Sequence, residues 1–143
     1  MSLLERVVLP VASEKDAEST CDAALKRIES VGGRVIALHV VEKAGGAPDK
    51  ASVEQREEQA DEIFEIVRER CDALGVPVET KIAYSTDVAD AIFETADEAD
   101  ATAIAFTPRG GSRWMKLLTG DVALSLATKT NRPVVILPDG EDD

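Results

Sequence analysis

Two glycines, Gly110 and Gly120, bracket nine residues in the stretch TPRGGSRWMKLLTGDV, and Arg109, Arg113 and Lys116 stand in or beside that interval. Glycine lets a backbone approach a ligand closely, and cationic side chains attract anions, so glycines and arginines together suggest a loop that cradles phosphate. The stretch follows an apolar run ending at Phe106 and leads into an apolar helical pattern from Asp121. A loop between a strand and a helix start offers an anion free amide donors and the positive end of the helix dipole. Asp121 has the wrong charge for that task. At about 4 Å it would repel a unit negative charge by about 1 kcal/mol in water and about 4 kcal/mol at an effective dielectric near 20. Its carboxylate also suits the cap of its own helix, where it would occupy the same amide donors.

Three arrangements are open for this loop. The three basic residues offset Asp121 and hold an anion, or they pair with Asp121 and close the site, or Asp121 recruits a metal to a phosphate. The last rests on a single carboxylate and ranks lowest. The plainer reading of Arg109 and Arg113 is a solvated loop, or a patch that meets an acidic surface on a partner. Trp114 is the sole tryptophan; it packs over the loop or anchors a partner contact.

Other chemistries find less support. The single histidine, His39, lies inside an apolar run (ALHVV) with no Ser or Cys nearby in sequence, so it is expected in the core. A phosphoacceptor receiver needs acidic residues after its first strand and an aspartate after its third. Here those places read Pro10-Val11-Ala12 and Ala83-Tyr84-Ser85, and Asp87 looks like a helix start. Neither G-x-x-x-x-G-K-[ST] nor G-x-G-x-x-G occurs, which removes P-loop and dehydrogenase readings. Cys21 and Cys71 each fall on a helical apolar stripe and form no C-x-x-C pair. Two reduced, buried thiols are expected, with no zinc or redox site. No catalytic constellation emerges, so the chain is not expected to be an enzyme.

The elements that must position the loop follow from apolar periodicity. Strands are predicted over 6–11, 34–41, 76–83, 101–106 and 132–137. Helical stripes run through Ala17–Val31, ended by Gly32-Gly33, and through Ala60–Leu74, ended by Gly75, with Ser52 and Gln55 as a capping box for the second. A third helix runs through Val88, Ile92 and Ala96 behind the cap candidates Ser85, Thr86 and Asp87. A fourth spans about Asp121 to Lys129. Strands apolar on both faces and alternating with helices predict a single α/β domain, doubly wound and Rossmann-like, with a five-stranded parallel sheet covered by helices on both sides. The domain is read as 1–138 with an acidic tail at 139–143. Ligands in such sheets bind beyond the carboxyl ends of the strands, where the winding switches direction.

Composition sets outer bounds. With 143 residues, 44% hydrophobic and 3% aromatic, the chain supports one domain with an aliphatic core. Its net charge of −12 disfavours nucleic acid and anionic membrane surfaces. Yet 107–138 holds five basic residues (Arg109, Arg113, Lys116, Lys129, Arg132) against Asp121 alone. Lys129 and Arg132 complement the carboxyl end of the last helix. The acid-rich composition suits a halophile's cytoplasm. No apolar run approaches the roughly 20 residues of a membrane span, and MSLLERVVLP reads as no secretion signal, so a cytoplasmic protein without membrane insertion is expected.

The segment 107–122 also resembles the universal stress protein family, whose ATP-binding members carry G-x-x-G, nine residues, then G-[ST] between the fourth strand and the last helix. The resemblance extends to V-L-P-V and L-H-V-V in the first two strands, L-L-x-G-x-V-A at the last helix and R-P-V-V-I-L as the final strand, covering about 5–138. It implies a nucleotide site for ATP or AMP drawn from Pro10, Val11, Ala12, Val40, Phe106, Thr107, Arg109, Gly110, Arg113, Gly120, Asp121 and Val122. It also implies homodimers paired through Pro133, Val134, Val135, Ile136 and Leu137, an apolar edge if left uncovered. Three departures accompany it: the family's first motif glycine falls on Thr107, its motif hydroxyl residue on Asp121, and its aspartate after strand one on Ala12. Those departures lead to the expectation that ATP binding is lost, no cofactor is retained, and the chain acts through dimerisation and an unidentified protein partner. A nucleotide-binding member with slow hydrolysis is the alternative.

Overall fold

The computed structural model describes residues 2–42, 50–106 and 132–137. Within them lie β1 (Arg6–Pro10), α1 (Glu14–Ser30), β2 (Arg34–Glu42), α2 (Lys50–Leu74), β3 (Val78–Ser85), α3 (Val88–Ala99), β4 (Ala103–Phe106) and β5 (Val134–Ile136). The helix expected from about Asp121 to Lys129 and the 139–143 tail lie outside the described residues. Among the described residues no helix is long and apolar enough to cross a membrane.

The five strands form one sheet in the order β3-β2-β1-β4-β5, every pair parallel. Successive residues of a strand face opposite sides, so the apolar runs feed two cores. Val7, Leu9, Val35 and Ala37 join Ala17, Cys21, Leu25 and Ile28 of α1 and Ile63, Phe64 and Val67 of α2. Val8, Ile36, Leu38, Val40 and Ile104 join Ala91, Ile92 and Ala96 of α3. Right-handed crossovers explain this division: β1 to β2 to β3 progresses one way with its helices on one face, and β3 to β4 returns with α3 on the other. The winding reverses between β1 and β4, the doubly wound arrangement expected from the alternation of elements.

Helix ends account for the later starts of β3 and β4. At the end of α1, Gly32 takes φ +69° and donates to Glu29 O (3.0 Å), while Gly33 donates to Ile28 O (2.9 Å). Gly75 (φ +72°) and Val76 close α2 in the same way onto Asp72 O and Cys71 O. This Schellman motif satisfies carbonyls the helix leaves unpaired. It also claims Val76 for the helix end, so β3 starts at Val78 rather than Val76, and Pro77 lends its carbonyl to Val35 N (2.9 Å). Ala101 is claimed likewise by Ala96 O (2.9 Å), which delays β4 to Ala103. At its other end α2 already includes Ser52, which is therefore an internal helix residue and not the expected cap.

The third copy of this motif places Asp100, not glycine, at φ 53°. Left-handed backbone penalises a Cβ by roughly 1 kcal/mol. Asp100→Gly is expected to stabilise the chain by about 0.5–1 kcal/mol, since among the described residues the side-chain partner it forfeits is Arg132 at 3.5 Å, on a carboxylate that is 88% exposed. Urea unfolding with an unchanged m-value and a higher midpoint would register this gain.

Candidate functional site

The carboxyl ends of β2, β1 and β4 lie side by side at the switch in winding. There the fold brings together Pro10, Val11, Ala12 and Val40 with the backbone of Phe106, whose strand partner is Ile136. Thr107, Arg109, Gly110, Arg113, Gly120, Asp121 and Val122 lie outside the described residues. The described half of the site is thus the strand-one corner and its neighbours.

The polar groups of that corner find partners within the chain. Pro10 pairs with Leu38, and the Val11 amide continues the pairing by donating to Leu38 O at 2.8 Å. His39 Nδ1 bonds the Val11 carbonyl at 2.8 Å, so that nitrogen carries the donated proton. The Ala12 amide donates to Asp16 Oδ2 at 2.8 Å. Ser13 caps α1, its hydroxyl accepting from Asp16 N at 3.1 Å. Ser13 and Asp16 therefore act as a capping box, with the acid reaching back one residue further than the common pattern. This explains why α1 begins at Glu14, ahead of the apolar stripe from Ala17.

Burial makes Asp16 unusual. It is 2% exposed, and desolvation pushes its carboxyl up to about 6 against the pull of the Ala12 hydrogen bond. A negative charge stands where the chain enters α1, beside Ala12, which has no carboxylate of its own. Sequence reading missed this residue. The pattern S-x-x-D at 13–16 was the available signal, but the stripe beginning at Ala17 masked the helix start. Val40 is buried at 3% under the α3 face, so it offers packing to the site rather than an accessible side chain. His39, at 8% exposure, is a core residue as expected.

Elsewhere the structure answers other readings of the sequence. Asp87 caps α3, accepting from Asp90 N at 3.1 Å. Arg132 reaches the carboxyl end of α3: its Nε donates to Ala101 O at 2.8 Å, and its guanidinium pairs with Asp97 and Asp100. On the edge strand β5, Val134 and Val135 are half-buried, Pro133 and Ile136 exposed, and Ile136 reaches 57% exposure. Leu137, by contrast, is buried in the core shared with α1 and α2. Among the described residues no group of three or more His, Cys, Asp or Glu is placed to hold a metal.

Comparison with known proteins covers nearly the whole chain. Residues 4–138 match the universal stress protein family. No curated protein matches in sequence. Among solved structures, a universal stress protein from Archaeoglobus fulgidus is 25% identical with a TM-score of 0.67, and 93% of each chain is covered. A member of the family from Burkholderia pseudomallei superposes with a TM-score of 0.75 at 21% identity, covering 96% of this chain and 98% of that one. An Archaeoglobus fulgidus universal stress protein in complex with dAMP gives a TM-score of 0.66 at 23% identity, covering 95% and 99%.

Proposed function

The chain belongs to the universal stress protein family, and from that premise we propose that it is a non-enzymatic regulatory module that acts through protein contacts and has given up the ATP pocket of its nucleotide-binding relatives. One observation carries the reading. The corner after β1 presents Ala12 where the resemblance to ATP-binding members implies an aspartate, and its amide is already bonded to the buried Asp16. The replacements Thr107 and Asp121 point the same way, through a lost close approach and a misplaced negative charge. Restoring the two polar contacts tests it: Ala12→Asp with Asp121→Ser gains measurable ATP binding by calorimetry where the parent has none. A double variant as silent as the parent would sink the account of these substitutions.

The partner surface has two components. Arg109, Arg113 and Lys116 form a basic segment in an otherwise acidic chain, suited to a partner with acidic residues. β5 is an edge strand with exposed Ile136, and such an edge invites pairing with the same strand of a second copy about a two-fold axis. Ile136→Glu is expected to weaken that homodimer roughly tenfold or more, read by sedimentation velocity across a concentration series. A parent chain that stays monomeric at micromolar concentration contradicts the pairing.

A second reading has a specific observation in its favour. The structural relative bound to dAMP shares the fold over 95% of this chain, and Gly110 and Gly120 keep the phosphate-loop spacing. On that reading Arg109 and Arg113 outweigh Asp121, and the site takes an adenine nucleotide, with slow hydrolysis at most.

A further inference from the structure

Cys21 and Cys71 stand fifty residues apart in the sequence, yet the fold brings them to one interface. Cys21 is on α1 and Cys71 on α2, both are free, and both are buried in the core these two helices share. The residues beside them fix the level at which the helices meet: Asp22, next after Cys21, pairs with Arg70, the residue just before Cys71. Ala17 and Ala24 flank Cys21 one helical turn away on either side. Small residues there favour the near end of the ~8–10 Å range of helix separations, where Cβ atoms come within the ~3.5–4.5 Å that a disulfide spans.

We propose that Cys21 and Cys71 are a latent redox pair, which hydrogen peroxide converts into a disulfide that staples α1 to α2. One thiol, after giving up its proton, attacks a peroxide oxygen and breaks the O–O bond. That sulfur becomes a sulfenic acid, and the other peroxide oxygen leaves as hydroxide, which takes up the proton. The second sulfur attacks the first and expels its hydroxyl, which leaves as water with the second thiol's proton. Two thiols lose two electrons, and the peroxide gains them.

Burial pushes the Cys21 thiol up to about 12 and the Cys71 thiol up to about 11. Both stay protonated in the closed core at neutral pH, and protonated thiols are poor nucleophiles. The first step therefore waits on local separation of α1 from α2. Conditions that loosen the fold while supplying an oxidant are those that set the staple, and the closed loop then restricts the unfolded chain.

The full chain at micromolar concentration, incubated with hydrogen peroxide below its melting transition, tests this after free thiols are alkylated and the digest is weighed. The expected result is a peptide linking Cys21 to Cys71, absent from Cys21→Ser and Cys71→Ser, formed several-fold faster in mild urea. Recovery of both thiols in alkylated form, sulfinic acids without the link, or links only between chains would each overturn the proposal. A second arm removes the need for opening: the chain is oxidised while unfolded, the Cys21–Cys71 product is isolated and refolded. It is expected to melt at a higher temperature than the reduced chain, and a lower melting temperature would show that the fold cannot accommodate the bond.

Discussion

Gly33→Ala is expected to lower stability by about 3 kcal/mol, the upper end of the cost of overpacking a tight site, and to reduce the melting temperature by roughly 10 °C for a chain of this size. The cause is a close approach of backbone to backbone. A Cβ at Gly33 would sit 2.1 Å from Leu4 O and 3.2 Å from Glu5 O. Neither carbonyl can swing aside cheaply: Glu5 O accepts from Arg34 N at 2.9 Å at the start of the β1–β2 ladder, and Leu4 O shares its peptide plane with Glu5 N, which donates to Ser2 O at 3.2 Å. Relief would mean moving the end of α1 away from β1. Gly32 provides the control. It has φ +69° and open space around a Cβ, so Gly32→Ala carries only the left-handed backbone penalty of roughly 1 kcal/mol. Thermal melts that rank the two variants the other way would refute this close packing.

Asp16 governs the second large effect, one of pH. Its carboxyl sits near 6 in the fold, raised by burial from an ordinary value of 3.8. Between those values the folded chain binds more proton than the unfolded chain, so the contribution of this group to stability falls as pH rises. It is most favourable below about 4 and fully lost above about 6, a swing of about 3 kcal/mol at most. Asp16→Asn retains an acceptor for the Ala12 amide without the buried charge. At pH 8 the variant is expected to be more stable than the parent by about 1–2 kcal/mol, and the difference vanishes or reverses near pH 4. Asp16→Ala leaves the Ala12 amide without its partner and loses about 1–2 kcal/mol. Denaturant midpoints from pH 4 to 8 for the three chains decide the matter. Parallel profiles for parent and Asp16→Asn would show that Asp16 does not titrate in this window.

The fold was legible because its signals were continuous. Apolar runs such as RVIALHVV have room to satisfy both faces of a parallel strand, and stripes such as Ala60–Cys71 keep helical period over several turns. What escaped was local and polar. The Ser13–Asp16 box lies ahead of the stripe that announces α1, and its importance depends on Asp16 being folded under the β1 corner, which no spacing encodes. The thiol pair escaped for a related reason: C-x-x-C is a neighbourhood in sequence, whereas Cys21 and Cys71 are neighbours only across two packed helices. Val40 and Leu137 show the reverse limit. Both lie in stretches that resemble functional parts of the family, and both spend their side chains on the core. Only packing tells which side chains of such stretches remain free to meet a ligand.

On the proposed function, the β1 corner and residues 107–122 no longer hold an adenine nucleotide. Calorimetric titration of ATP and AMP into the unmodified chain, with and without Mg²⁺, tests it most directly. The account predicts no binding tighter than about 1 mM, an affinity of only about −4 kcal/mol. A micromolar dissociation constant for either nucleotide would contradict it and establish that Arg109 and Arg113 prevail over Asp121.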